Sequence, residues 1–377
     1  MGVLIGADFV PTASNSHLFE RGNIEDLIGV ELYEMFCQAD YRIVNLELPL
    51  TDKEQPIEKC GPNLSANTNT INGYKKLKID MLTLANNHIL DQGSFGVYST
   101  IKTLENEKIQ FIGLAGEKYK DNSFSIFEFQ CKKIAVYACA EHEFSTLERW
   151  EIKANPYEEK ATNDTIKHLA EQYDYIIVLY HGGKEYYRYP SPCLQTRCRN
   201  MVLSGANLVV CQHSHCIGCE ERYKGGTIVY GQGNFLFDIS NNEYCQTGLL
   251  IEINSRFEIS YIPLKKNGHC VSVANGEDGI KILNDFYKRS RQIEEETFVK
   301  DNYNRFSREI IETYLWSLSG KESFLFRALN KLCRGKLRSN RLKRKYNKES
   351  LMKIYNCLIC EAHKELLVNC LEKKIYE

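Results

Sequence analysis

Histidines, carboxylates and asparagines stand at the ends of five short apolar runs in this sequence. In chain order they are Asp8, Glu47, Asn86-Asn87-His88 with Asp91, His181, and His213-Ser214-His215. Imidazole nitrogens, carboxylates and amide oxygens form a mixed donor set that suits Zn, Mn or Fe. The His-x-His spacing puts alternate side chains on one side of an extended segment, so both imidazoles can face one or two ions. One such histidine alone is more often a structural residue, but the joint pattern predicts a shared metal or catalytic site.

The apolar runs must form one sheet edge for these side chains to meet. They cover residues 3–7, 42–47, 79–85, 175–180 and 207–211. Short runs of this kind are typical of buried strands, and amphipathic helical patterns lie between them. Strands alternating with helices predict a layered α/β domain, in which ligands bind at the carboxyl ends of the strands. Hairpin-like stretches at 124–138 and 249–264 predict added antiparallel strands.

The composition is that of an ordinary soluble globular protein. Of the 377 residues, 43% are hydrophobic and 26% are charged, with a net charge of -1. A chain so nearly neutral is not built as a whole for nucleic acid. The first residues do not have the basic start and apolar stretch of a secretory leader. The sequence contains no run of about 18 apolar residues, so no membrane-spanning helix is expected. We therefore expect a cytoplasmic protein whose 15 cysteines are mostly reduced.

The character of the sequence changes after about residue 275, so we predict a main domain over 1–275 and a helical region over 276–377. Residues 327–348 contain ten Lys or Arg and no acid. Such a segment could contact an anionic membrane surface, making the protein membrane-peripheral, or an acidic polymer. A solvated helix face is the plainer alternative.

The ordered motifs resemble the CapA-type capsule synthesis or poly-γ-glutamate biosynthesis family of the calcineurin-like metallophosphoesterase superfamily. The matching segments are Gly6-Ala7-Asp8, Asn45-Leu46-Glu47-Leu48-Pro49, Leu84-Ala85-Asn86-Asn87-His88, His181-Gly182-Gly183-Lys184-Glu185-Tyr186, His213-Ser214-His215 and Tyr230-Gly231-Gln232-Gly233-Asn234-Phe235. The resemblance implies an α/β fold, a four-layer αββα sandwich, to which the C-terminal helical region is appended.

The same resemblance implies a site for one or two divalent metal ions. Asp8 and His215 would hold one ion. Asn87, His181 and His213 would hold the other. Glu47 stands where the superfamily usually has a bridging Asp.

Further residues are expected around the ions. The resemblance places His88 near the leaving group. Asp91 could orient His88, or it could cap the following helix. Lys184 and Arg188 could bind an anionic substrate, or they could lie on a solvated loop. The resemblance also marks Glu185 as a motif residue. Asn234 could reach the strand ends, or it could form a turn with Gly233.

Three departures from the superfamily pattern leave the first ion with few ligands. Val10 stands where an Asp-x-His motif would supply a histidine, Glu47 is longer than Asp, and Gln212 replaces a Gly. A single tightly bound ion is therefore also consistent with the sequence.

We expect a metal-dependent, phosphoesterase-like hydrolase related to capsule or poly-γ-glutamate biosynthesis, acting on an anionic phosphoester or polyglutamate. One alternative is a non-catalytic or single-metal protein that binds or assembles an anionic polymer. Another is an amidohydrolase that cleaves γ-glutamyl bonds. Nucleic acid is not an expected partner.

Overall fold

The computed structural model describes residues 2–120, 122–237, 242–319 and 324–376. The strands are β1 (Val3–Val10), β2 (Tyr41–Asn45), β3 (Met81–Thr83), β4 (Gln110–Ile112), β5 (Leu114–Gly116), β6 (Phe124–Phe129), β7 (Lys132–Ala140), β8 (Ile152–Ala154), β9 (Tyr175–His181), β10 (Leu208–Gln212), β11 (Glu220–Tyr223), β12 (Gly226–Val229), β13 (Leu236–Phe237), β14 (Thr247–Ile253), β15 (Ile259–Asn267) and β16 (Cys270–Val273). The helices are α1 (Ser16–Arg21), α2 (Ile24–Ile28), α3 (Val30–Gln38), α4 (Ile71–Lys76), α5 (Gly93–Glu107), α6 (Glu159–Gln172), α7 (Pro192–Leu203), α8 (Gly276–Gln292), α9 (Phe298–Ser317), α10 (Phe324–Leu332), α11 (Lys336–Lys345), α12 (Lys348–Ile359) and α13 (Glu361–Tyr376).

Two mixed sheets carry the strand ends that matter. The first has the order β16-β15-β14-β1-β2-β3-β4, with β13 also paired to β1, and the second has the order β11-β12-β10-β9-β7-β6. Strands β1 to β4 run parallel, and so do β7, β9, β10 and β12. Parallel strands end at the same edge, so each sheet gathers its carboxyl-end residues on one side.

Side chains on the two faces of the second sheet pack into two separate hydrophobic cores. Ile177 and Leu179 of β9 pack in one core with residues of the first sheet such as Ile5. Val178 and Tyr180 point the other way, into a core with residues of α6 and α7 such as Leu169 and Met201. Successive side chains of a strand face opposite sides, which explains this division. The protein is a four-layer αββα sandwich, which confirms the predicted fold class.

The predicted hairpins form as the antiparallel pairs β6–β7 and β14–β15. The prediction that the first strand ends at Asp8 is wrong. Strand β1 continues to Val10, and its pairing with β2 shifts register between Ile5 and Asp8. The continuation is stabilised because β13 pairs with Phe9 and Val10.

Internal contacts divide the chain into one unit at 1–299 and another at 300–377. Helix α8, which follows the predicted boundary at residue 275, packs on β11 and β15 inside the first unit. The boundary at 275 thus lies one helix before this division and stays a prediction. The second unit is helical, and the basic segment 327–348 runs from α10 through α11 to the start of α12. Within the described ranges, no helix combines the length and apolar character needed to cross a bilayer.

Candidate metal centre

Two groups of buried side chains converge between the sheets, and they share one carboxylate. The first group is Asp8, Glu47 and His215, and the second is Glu47, His181 and His213. Within each group the candidate ligand atoms lie within 4.8 Å of one another. The structure therefore brings together side chains that lie up to 207 positions apart in the sequence. Glu47, two residues beyond β2, lies where it could contact two ions.

The second group is crowded around the ring of His181. Its Nε2 atom lies 3.1 Å from Asn87 Oδ1, 3.1 Å from Glu47 Oε1 and 3.2 Å from His213 Nδ1. A ring nitrogen carries at most one hydrogen, so it cannot donate to all three of these atoms. Several potential ligand atoms thus crowd around one ring nitrogen, which is an arrangement that a bound cation would stabilise.

Several oxygens of the centre are buried without a hydrogen-bond partner. They are Asp8 Oδ2 and both carboxylate oxygens of Glu47. The contact between Glu47 Oε1 and His181 Nε2 is an ion pair only when the imidazole is protonated. Buried carboxylates are costly unless a positive charge or donors compensate them. These orphaned oxygens fit a divalent metal ion.

The electrostatics of the first group follow from two carboxylates in a small buried space. Burial, reinforced by the neighbouring Glu47, raises the pKa of Asp8 to about 7. Burial also raises the pKa of Glu47. Burial favours neutral His215, yet Glu47 and Asp8 outweigh that effect and raise its pKa. Mutual repulsion of this kind is what a cation between the carboxylates would remove.

The two histidines of the second group are kept neutral. Burial lowers the pKa of His181 to about 4 and that of His213 well below its usual value. Neutral imidazole is the form that binds a metal. The second group therefore offers ready ligands.

The paired histidines do not lie on an extended segment, so that prediction is wrong. His213 and His215 have φ angles of +82° and +52°, in the left-handed region that non-glycine residues seldom adopt. Their rings are nevertheless 6.0 Å apart, and His213 is 4.9 Å from His181. Strained backbone of this kind is concentrated at functional sites. Here the bend, rather than strand alternation, turns both rings inward.

Two amides orient the first group. Asn45 Nδ2 donates to Asp8 Oδ1 at 2.7 Å, while Asn45 Oδ1 accepts from Thr83 and Asn86. Asn234 Oδ1 lies 2.9 Å from His215 Nδ1. When that nitrogen donates to Asn234, the other ring nitrogen is left free to bind a metal. In the structure Asn234 contacts His215, and its role in binding a substrate stays a prediction.

His88 and Asp91 lie beside the centre and contact each other. His88 Nδ1 is 2.6 Å from Asp91 Oδ2, which also accepts the Leu64 N–H at 2.7 Å. Helix α5 begins at Gly93 without a side-chain cap. Of the two alternatives for Asp91, the structure thus displays the contact with His88. Lys59, which the sequence did not single out, contacts Asp91 Oδ1 and lies 3.2 Å from His88 Nδ1.

Glu141 is a second residue that the sequence analysis missed. It follows β7 directly, and its Oε1 lies 3.9 Å from His213 Nε2. Its Oε2 accepts the Gly183 N–H at 3.1 Å. Strand β7 runs parallel to β9 and therefore ends at the same edge of the sheet, but the sequence carries no distinct signal of this pairing.

The expected anion-binding residues divide between two places. Lys184 and Glu185 are partly exposed and form a 3.6 Å ion pair. Arg188 Nη1 instead donates to Ile217 O at 3.1 Å, and its guanidinium lies 4.7 Å from the Tyr244 ring. Arg188 therefore belongs to the wall of a neighbouring cavity rather than to the metal centre.

The departures from the superfamily pattern have structural explanations. Val10 is buried in the pairing of β1 with β13. Gln212 is also buried, and its Nε2 donates to Gly6 O at 3.3 Å. The amide thus ties β10 of the second sheet to β1 of the first, a link that glycine could not supply.

A family model described as "Bacterial capsule synthesis protein PGA_cap" matches residues 16–239, which is more than half of the chain. The chain belongs to this family. The PGA_cap match includes every metal-ligand candidate except Asp8, which precedes it.

Relatives named CapA cover part of the chain. Capsule biosynthesis protein CapA of Bacillus anthracis is 29% identical over 211 residues, 53% of this chain and 51% of that protein. PGA biosynthesis protein CapA of Bacillus subtilis (strain 168) is 26% identical over 210 residues, 54% of this chain and 55% of that protein. The chain thus spans about half the length of the curated relatives it matches.

Solved structures with related architecture are more distant. A novel phosphatase from Mycoplasma pneumoniae has a TM-score of 0.43 and 14% identity, covering 71% of this chain and 94% of its own. A putative 5'-nucleotidase from Staphylococcus aureus has a TM-score of 0.43 and 12% identity, covering 76% of this chain and 57% of its own. Similarity at this level says nothing about a substrate.

Proposed function

We propose that this PGA_cap family protein is a metal-dependent hydrolase of a phosphoester substrate, with a role related to capsule or poly-γ-glutamate biosynthesis. The observation that carries the proposal is the position of Glu47. Its carboxylate belongs to both donor groups, and neither of its oxygens has a hydrogen-bond partner. A shared carboxylate between two donor groups is the arrangement expected of a two-metal site.

The ligand assignment follows the two groups. Asp8 and His215 would hold one ion, Asn87, His181 and His213 the other, and Glu47 both. Bound divalent ions supply an activated water at neutral pH and offset charge on phosphoryl oxygens. Mn, Fe and Zn all suit these nitrogen and oxygen donors.

His88 is the residue proposed to act on the leaving group. A proton on Nδ1 would be donated to Asp91 Oδ2, 2.6 Å away, and Nε2 would then be the atom that faces the substrate. In the protonated ring, Nε2–H would donate to the leaving oxygen. The side chain is 12% exposed, which leaves it accessible to a bound substrate.

The test combines metal analysis with turnover. Protein expressed and purified without chelator is assayed for metal content and for hydrolysis of bis-p-nitrophenyl phosphate with added manganese. His213→Ala should lose metal and turnover, whereas His88→Ala should keep the metal and lose turnover. His168→Ala, an exposed histidine on α6, is the matched control. Loss of metal in His88→Ala would show that the role given to His88 is wrong.

The same experiment separates the competing functions. Release of glutamate from γ-polyglutamate, without phosphodiester turnover, would identify an amidohydrolase. Polymer binding with neither metal nor turnover would identify a binding or assembly protein. Either result would overturn the phosphoesterase proposal.

We also propose that the second unit contacts an anionic membrane surface through residues 327–348. Leu325, Leu329 and Leu332 of α10 recur at helical spacing, and all three are exposed. Basic side chains follow them through α11. Exposed leucines favour a membrane over a hydrophilic polymer, because only the membrane offers an apolar phase to bury them.

A further inference from the structure

A cavity of about 380 Å³ lies in the first unit, apart from the metal centre. None of the candidate metal ligands lines it. Its wall combines Arg188, Ile217, the start of β14 and β15 residues with the face of α8 that carries Arg289. Helix α8 is therefore part of a potential binding surface, although the sequence analysis placed it in an appended region.

Two arginine side chains, Arg188 and Arg289, line this cavity. Arg188 Nη1 donates to Ile217 O at 3.1 Å, and Arg289 Nε donates to Gly218 O at 2.7 Å. The two guanidinium groups are thus anchored to consecutive carbonyls of one loop, near enough for the charge of Arg188 to act on Arg289. Burial lowers the pKa of Arg289, and the charge of Arg188 adds to that effect. Two like charges held close together favour an anion between them.

The other charges of the cavity are largely satisfied. Lys265 is 2.5 Å from Asp278, and Lys281 is 2.6 Å from Asp285. Within the described parts of the chain, neither arginine head forms an ion pair with a carboxylate. Glu243 also lines the cavity, but it is exposed and therefore screened by solvent. Asp285, which also lines the cavity, offsets part of the Arg289 charge, and the lining as a whole still carries one more basic than acidic side chain.

The cavity adjoins the metal centre through one loop. Ile217 and Gly218, whose carbonyls the arginines hold, follow His215 by two and three residues. The Tyr244 ring, which contacts Arg188, is 6.0 Å from Tyr186, and Tyr186 is 6.1 Å from His215. A substrate with several anionic groups could therefore contact both places.

We propose that Arg188 and Arg289 bind an oxyanion of the substrate, a carboxylate or phosphate group distinct from the one at the metal centre. The planar guanidinium donates two parallel hydrogen bonds to either oxyanion, which makes an arginine pair selective for such groups. That a second group of the same substrate reacts at the metal centre rests on the proposed function. The binding of an oxyanion by the two arginines does not depend on it. The site would then favour polyanionic substrates over small monoesters.

The test measures binding without turnover. The EDTA-treated chain of 377 residues is titrated by calorimetry with inorganic pyrophosphate and, separately, with a γ-linked pentaglutamate. Arg289→Gln should weaken binding of the recognised probe by about tenfold or more, since a charge-assisted bidentate contact is lost. Arg291→Gln, exposed on the same helix, is the matched control and should bind as the wild type does. The affinity of Arg289→Lys should lie between those of Arg289→Gln and the wild type. Lysine keeps the positive charge but lacks the planar guanidinium that donates two parallel hydrogen bonds.

Each result has a defined meaning. Binding of pyrophosphate alone assigns a phosphate group, and binding of the peptide alone assigns a carboxylate. If neither probe binds, or if Arg289→Gln and wild type bind equally, the proposal is wrong. Arg188→Gln serves in place of Arg289→Gln if the latter does not fold. Oxyanion binding without any metal-dependent turnover would support this binding site and contradict the proposed hydrolase function.

Discussion

Asp91 Oδ2 and His88 Nδ1 lie 2.6 Å apart, and the same carboxylate contacts buried Lys59. The carboxylate is therefore shared between an imidazole and an ammonium group. It also accepts the Leu64 N–H, which fixes the loop that carries Lys59. These contacts hold the His88 ring in one orientation beside the metal-ligand candidates.

Replacing Asp91 by Asn should lower turnover while the metal content stays unchanged. Without the carboxylate, the ring loses its fixed tautomer, and we expect a loss of about 10- to 100-fold in turnover. Phosphodiester assays with parallel metal analysis measure both quantities. The double variant with His88→Ala should be no slower than His88→Ala alone. Additive losses would mean that Asp91 acts independently of His88.

Glu47→Gln should remove both ions, whereas Asp8→Asn should remove one. Glu47 belongs to both donor groups, and Asp8 belongs only to the group with His215. The neutral amide of Gln is a weaker ligand and no longer offsets the charge of a cation. Metal content per chain, measured after gel filtration, tests this difference. One ion retained by Glu47→Gln would show that Glu47 is not shared.

Chelation should lower the melting temperature of the wild type more than that of Glu47→Gln. A bound ion stabilises the folded state by mass action, and its removal leaves the buried carboxylates of Asp8 and Glu47 without a compensating cation. Glu47→Gln removes one of those charges beforehand. In EDTA we therefore expect Glu47→Gln to melt no lower than the wild type. Calorimetric scans with and without EDTA check the order, and identical shifts in both proteins would contradict it.

The gathering of the strand-end residues could be predicted from the sequence because parallel strands end at one edge of a sheet. That argument applied to Glu47 and His181, whose strands were recognisable as short apolar runs. It failed for Glu141, because the predicted hairpin ended at residue 138 while β7 continues to Ala140. A strand paired to one neighbour antiparallel and to another parallel has no distinct sequence pattern.

Local backbone conformation and long-range loop contacts could not be predicted from the sequence. The left-handed angles of His213 and His215 depend on the surrounding structure, since no glycine marks these positions. Lys59 lies in an irregular segment, and its contact with Asp91 joins residues 32 positions apart. Neither hydrophobic periodicity nor motif spacing carries information about such contacts.

Residues 327–348 should bind vesicles that contain phosphatidylglycerol and bind pure phosphatidylcholine vesicles weakly. Lys343 and Arg344 are exposed on α11, and each basic residue near an anionic surface adds about 1 kcal/mol. The double variant Lys343→Gln, Arg344→Gln should therefore bind about thirtyfold more weakly in co-sedimentation assays. Lys102→Gln with Lys167→Gln, exposed on α5 and α6, removes the same charge from the first unit and serves as the control. Equal loss in both variants would mean that net charge, rather than this segment, governs binding.

Leu329→Glu should also weaken binding, because it places an acid among the exposed leucines of α10.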